Sequence, residues 1–105
     1  LAEAIGLIRA AGGVAVLAHP WSRGARATLG EGVLEELAAA GLAGVEVDHP
    51  DPDADERAGL GAVARRLGLL TTGSSDHHGT GKTRNPLGVE TTDPDVYAEI
   101  RRRIR

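Results

Sequence analysis

Apolar positions along the chain fall into three near-repeats of one pattern. Leu1, Ile5 and Ile8 recur at helical spacing within "LAEAIGLIRAA", and Gly12-Gly13 end that stretch and release the chain into the strand-like "VAVLAH". The second pass runs from Gly30 to Ala40 with Val33, Leu34 and Leu37 on one helical face, Gly41 as the stop and "AGVEVD" as a short strand. In the third, Asp53 or Asp55 stands near a helix start and Leu60, Val63, Ala64 and Leu67 form the apolar face. Gly68 closes that helix and "LLTT" follows as a strand. A last helix is expected from Asp93-Pro94 through "DVYAEIRRRIR", since proline suits a first helical turn. Helices alternating with short strands predict parallel strands joined by right-handed crossovers, which is the α/β class.

The polar residues gain meaning from that arrangement. His19 lies at the end of the first strand, Glu46 to His49 at the end of the second, and Asp76 to His78 just past the third, in "GSSDHHG". All three clusters belong to the carboxyl ends of the strands, the edge where parallel α/β folds collect ligands and catalytic groups. Strand alternation sets Val45 and Val47 toward the helices and Glu46 the other way, where a lone glutamate needs a partner.

Composition narrows the reading. With 105 residues the chain makes one small domain or part of a larger one, and with Trp21 and Tyr97 as its only aromatics and no Phe, Met or Cys, its core must be aliphatic and thin. A net charge of -3 leaves no footprint for non-specific nucleic-acid binding, although local basic contacts stay open. There is no disulfide framework, and no apolar stretch approaches the ~18 residues that span a bilayer, so no membrane partner and a cytoplasmic location are expected. The chain starts without Met in what reads as mid-helix, which suggests a fragment.

Imidazole and carboxylate together suit Zn, Mn or Fe, and Asp76 and His78, one position apart, can both reach a metal from an irregular loop. Other readings exist for each residue alone. His19 before Pro20 could end a strand, His49 could be an exposed loop residue, Asp76 could cap a turn, and His77 and His78 could be solvated. Three such clusters on one edge fit a shared site better than three coincidences.

"GGVAVLAHP", "GLAGVEVDHPD" and "GLLTTGSSDHHGTGK", in that order, resemble the carboxyl-terminal half of a PHP (polymerase and histidinol phosphatase) domain, and the likeness covers nearly all of residues 1–105. Within the superfamily, "GSSDHHGTGK" followed by "NPLG" and "TT" is similar to the branch of nucleoside 3',5'-bisphosphate phosphatases and RNA 5'-end exonucleases. The resemblance implies part of a distorted (β/α)7 barrel whose strand ends hold two or three divalent metals, commonly Mn, Fe or Zn. It also implies phosphoester hydrolysis by a metal-activated water, with a nucleotide or short RNA end as substrate.

Carried over residue by residue, the resemblance implies His19, Asp76 and His78 as metal ligands, with His77 at a position that usually holds an aromatic and not assigned to metal. Glu46 and His49 are implied as catalytic or pocket-lining groups, His49 also as a phosphate or metal contact. Lys82 and Arg84 are candidates for substrate charge, or else solvated surface cations. Where relatives often carry a second histidine after the one matching His49, this chain has Pro52. The amino-terminal His-x-His motif of the family is absent, so these residues alone would form an incomplete enzyme with about half the metal shell. The rival functions are an amidohydrolase-like metal hydrolase and a non-catalytic PHP remnant with a structural or assembly role. Self-association through exposed strand edges is expected of such a piece.

Overall fold

In the computed structural model, which describes residues 1–50, 53–81 and 85–105, seven regular elements follow one another. They are α1 (Ala2–Ala10), β1 (Val16–Leu17), α2 (Glu31–Ala39), β2 (Gly44–Asp48), α3 (Ala54–Leu67), β3 (Leu70–Gly73) and α4 (Pro94–Arg103). Short 3-10 segments cover Ser22–Ala27 and Gly79–Gly81, neither of which the apolar pattern announced.

Two of the helices, α3 and α4, start where a side chain satisfies orphan backbone groups. Asp53 is the residue that begins α3: its Oδ1 accepts the Glu56 amide at 2.8 Å. The same helix closes on Gly68, whose φ of 70° is the left-handed region glycine enters without a Cβ penalty, and the Leu69 amide then returns to the Ala64 carbonyl at 2.8 Å. Asp93 begins α4 by accepting the Asp95 amide at 2.8 Å, with Pro94 in the first turn. At the other end of α4, hydrogen bonds from Arg102 and then Arg103 hold the Glu99 carboxyl down at about 2.

The three strands are parallel and ordered β1-β2-β3, with Val16 beside Gly44 and Gly44 beside Leu70. The alternation of helices and parallel strands expected from the sequence is therefore present. Strand β1 is much shorter than "VAVLAH". Pro20 has no N–H to give a ladder, and the His19 amide is taken at 3.1 Å by the Glu46 carboxylate, so pairing stops at Leu17. The β2–β3 ladder carries an irregularity between Glu46 and Asp48, which pair with the consecutive residues Thr72 and Gly73. One extra residue on β2 bends the strand just before His49.

One aliphatic core joins the elements. Leu34 and Leu37 of α2, Leu60, Val63 and Ala64 of α3, Val45 and Val47 of β2, and Ile5 of α1 are all buried in it. Each fully buried side chain of this kind contributes about 1.5–3 kcal/mol. Val45 and Val47 lie in that core and Glu46 does not, as strand alternation requires. Leu7 and Ile8 of α1 and Tyr97 of α4 are exposed. Among the described residues, no helix is long and apolar enough to cross a membrane.

Candidate metal centre

The carboxyl ends of all three strands supply one cluster. His19 follows β1, His49 follows β2 and Asp76 follows β3, and one ligand atom from each lies within 4.8 Å of the others. The His49 Nε2 stands 3.3 Å from Asp76 Oδ2, and the His19 and His49 rings are 4.8 Å apart between centroids. His49 is only 1% exposed, so it is not a solvated loop residue. Two imidazoles and a carboxylate, converging this closely, are a donor set that fits Zn, Mn or Fe.

The backbone at this cluster is strained. His19 has a φ of 28° and Asp76 a φ of 51°, and no other described non-glycine residue has a positive φ. Such conformations cost on the order of 1–3 kcal/mol each and persist where surrounding contacts hold them, most often at functional sites. Here the contacts are visible. Glu46, pointing off the core face of β2, receives the His19 amide on Oε1 at 3.1 Å and the Ser74 hydroxyl on Oε2 at 2.7 Å. The partner that a lone inward glutamate requires is thus a pair of loop groups, and Glu46 ties the turn after β1 to the turn after β3.

Behind the third loop, residues 85–92 act as a strap. The Ser75 hydroxyl donates to the Glu90 carbonyl at 3.2 Å and accepts the Gly88 amide at 2.8 Å. Thr92 Oγ1 accepts the Gly73 amide at 3.0 Å and donates to the Gly73 carbonyl at 2.8 Å. Gly73 is needed for this approach, because a Cβ there would run into the Thr91 carbonyl and lie 2.8 Å from Asp48 Cβ. Gly73→Ala is expected to destabilise the protein by about 1–3 kcal/mol, the usual cost of forced overpacking, measured by urea unfolding. An unchanged unfolding midpoint would show that the strap does not press on Gly73.

The two adjacent histidines behave differently from the cluster. His77 Nδ1 lies 3.0 Å from the Asn85 carbonyl, which can only accept, so His77 donates to the strap. His78 Nδ1 donates to the Asp76 carbonyl at 2.6 Å and stands 3.7 Å from Asp76 Oδ1, on the oxygen opposite the one facing His49. Its side chain is 59% exposed and outside the His19, His49 and Asp76 group. The structure therefore brings His49, expected as a phosphate or metal contact, together with His19 and Asp76, and places His78 beside this group on the other oxygen of Asp76. Pro52, Lys82 and Arg84 lie outside the described residues.

Sequence reasoning did not single out Ser75, Arg57 or Asn85. Arg57 ion-pairs with Glu90 at 2.8 Å and donates to the His49 carbonyl. Asn85 is 2% exposed. The only signal for this strap was the turn-like "NPLG", which shows a loop but not what it braces.

Three comparisons bear on the cluster. No family model matches the chain. Across 104 residues it is 33% identical to the 3',5'-nucleoside bisphosphate phosphatase of Chromobacterium violaceum, covering 99% of this chain and 36% of that protein. A crystal structure of a Bifidobacterium adolescentis protein, provisionally described as a metal-dependent phosphoesterase, superposes with a TM-score of 0.89 at 40% identity over 99% of this chain and 36% of that one. The chain belongs to the PHP family. It spans about a third of the length of these relatives. The structure of a Chromobacterium violaceum amidohydrolase with bound sulfate and no metal superposes less closely, with a TM-score of 0.73 at 31% identity over 99% of this chain and 37% of that one.

Proposed function

We propose that this PHP chain serves metal-dependent hydrolysis of phosphoesters, with nucleoside 3',5'-bisphosphates or RNA 5' ends as substrates. The observation that carries the reading is the convergence of His19, His49 and Asp76 from three strand ends. The similarity to a 3',5'-nucleoside bisphosphate phosphatase supports the substrate class. The three parallel strands are proposed to be one arc of the distorted (β/α)7 barrel, a point settled by the strand count in a crystal structure of the full-length protein.

His19, His49 and Asp76 would hold a divalent cation of the Mn, Fe or Zn type. Such a cation supplies positive charge for phosphate oxygens and lowers the pKa of a bound water from 15.7 toward about 7. The chain's own residues do the positioning. Glu46 fixes the backbone of His19 through the amide, and its second oxygen holds Ser74, two residues before Asp76. The carbonyl of Asp76 keeps the His78 proton on Nδ1, so that Nε2 is the ring atom left with a lone pair for a cation or a phosphate proton. On this proposal His78 remains a ligand or substrate contact on the outer side of Asp76, while Lys82 and Arg84 add positive charge toward the substrate.

A second reading, amide hydrolysis, is favoured by the likeness to the Chromobacterium violaceum amidohydrolase structure. The test is one assay of the full-length protein with Mn supplied, run on a nucleoside 3',5'-bisphosphate and on a panel of amides. Phosphate release with no amide cleavage is expected. Amide cleavage without phosphate release would replace the reading with the second one, and neither activity would favour the non-catalytic remnant.

A further inference from the structure

We infer that Arg57 is a positioning residue for the metal centre, acting through the backbone of His49 and, by way of Glu90, through the loop that carries Asp76. Arg57 lies in the first turn of α3, and its described contacts are with a backbone carbonyl and a carboxylate of the strap. Its Nη2 donates to the His49 carbonyl and pairs at 2.8 Å with Glu90 Oε1. Glu90 belongs to the strap, and its carbonyl accepts from the Ser75 hydroxyl at 3.2 Å, one residue before Asp76. A single charged side chain thereby links the turn after β2 to the turn after β3.

Two features make this more than a surface ion pair. Arg57 and Glu90 are 27% and 22% exposed, so both charges are largely withdrawn from water and their attraction is less screened than at an open surface. The groups they brace are also the ones that would drift without them. Asp76 is held at a φ of 51°, a conformation that relaxes unless neighbours enforce it, and His49 follows the irregularity of β2, where the strand ladder no longer fixes the chain. Glu46 performs the matching task for His19 and Ser74. Glu46 and Arg57 are therefore two brackets of opposite charge: they hold the backbones of His19 and His49 directly and reach Asp76 through Ser74 and Ser75, the residues before it.

Loss of an outer partner of this kind lowers metal affinity by roughly 10–100-fold while leaving every ligand in place. The inference rests on the metal reading of the site for that readout alone, so a second readout free of metal accompanies it. In the full-length protein with ring-labelled histidine, Co2+ affinity is measured by its visible spectrum, and the cross-relaxation peak between the His19 and His49 rings, 4.8 Å apart between centroids, is measured without metal. Arg57→Ala is expected to weaken Co2+ binding about 10-fold or more and to diminish the ring–ring peak. Arg57→Lys keeps the charge on a shorter stem that does not bring its nitrogen to the place Nη2 occupies between the two acceptors, and is expected to recover only part of each.

Unchanged affinity together with an unchanged ring–ring peak in Arg57→Ala would overturn the inference. A diminished peak in a protein whose wild type binds no Co2+ would uphold Arg57 and defeat the metal reading instead. Should Arg57→Ala fail to fold, Glu90→Gln decides: it leaves the bond to His49 and removes the ion pair, and it is expected to weaken Co2+ binding several-fold with an apo unfolding midpoint near wild type. Equal affinity in Glu90→Gln and wild type would then refute the link through the strap.

Discussion

Alanine at His19, His49 or Asp76 is expected to abolish most metal retention and to reduce phosphoesterase turnover by more than the ~10–100-fold that follows loss of an outer partner. Each residue contributes a donor atom to the same small space, within 4.8 Å of the other two, so each substitution removes one of the three donors gathered there. For His49 the loss is compounded by burial. At 1% exposure it leaves a cavity beside the Asp76 carboxylate that water must fill. His78→Ala separates the remaining proposal. Its Nε2 is the ring atom available to a cation on the outer side of Asp76, so this variant should lose part of the bound metal and keep the share held by the cluster. His77→Ala should retain metal, because that ring is committed to the Asn85 carbonyl. The measurement is the metal-to-protein ratio beside the rate on a 3',5'-bisphosphate nucleotide for all five variants. Full metal in His49→Ala would remove it from the centre, and equal losses in His77→Ala and His78→Ala would mean the ligand in that adjacent pair was misassigned.

Much of this was legible in the sequence because local rules and global architecture agree. Leu34, Leu37, Leu60 and Val63 are spaced as a helix spaces a buried face, and they are buried in one core. Asp53 and Gly68 mark the ends of α3 through capping chemistry that depends on neighbours within a turn. The shared edge of the site followed from parallel strands alone, since their carboxyl ends must lie together. What pattern could not give was the direction of side chains in loops. Both His49 and His78 follow strands, and their different placement goes with a strand irregularity before His49 and a positive φ at Asp76 that no periodicity announces. Both are settled by contacts distant in sequence, such as Ser74 with Glu46 across 28 positions. Glu46 illustrates the same limit: alternation placed it off the core face, but not which groups it meets there, the His19 amide and the Ser74 hydroxyl.

The largest effect on stability near the site is expected of Trp21. In the sequence it stood out only as one of two aromatics, two positions after His19. In the fold it is 2% exposed, its indole N–H donates to the Leu29 carbonyl at 2.8 Å, and the Arg26 guanidinium lies 4.4 Å from the ring centroid. The ring also reaches α3, where a Cβ on Gly59 would stand 3.3 Å from Trp21 Cζ3. Trp21 therefore fastens the turn carrying His19 to a helix 38 positions away (59 − 21), and does so in a core with no other large aromatic to fill the space. Trp21→Ala removes that packing and leaves the Leu29 carbonyl to water, at an expected cost of about 3–5 kcal/mol. Against a total of roughly 5–15 kcal/mol for a domain, this is enough to unfold a substantial fraction of the molecules at 37 °C. Trp21→Phe keeps most of the ring and loses the indole donor, and is expected to cost about 1–3 kcal/mol. Urea unfolding followed by far-ultraviolet circular dichroism is the suitable probe, because the fluorescent reporter is the residue removed. Midpoints in the order wild type, Trp21→Phe, Trp21→Ala are expected, with Co2+ affinity of the still-folded Trp21→Phe protein reduced through the loosened His19 turn. A Trp21→Ala protein as stable as wild type would show that Pro20, which is also buried, holds that turn by itself.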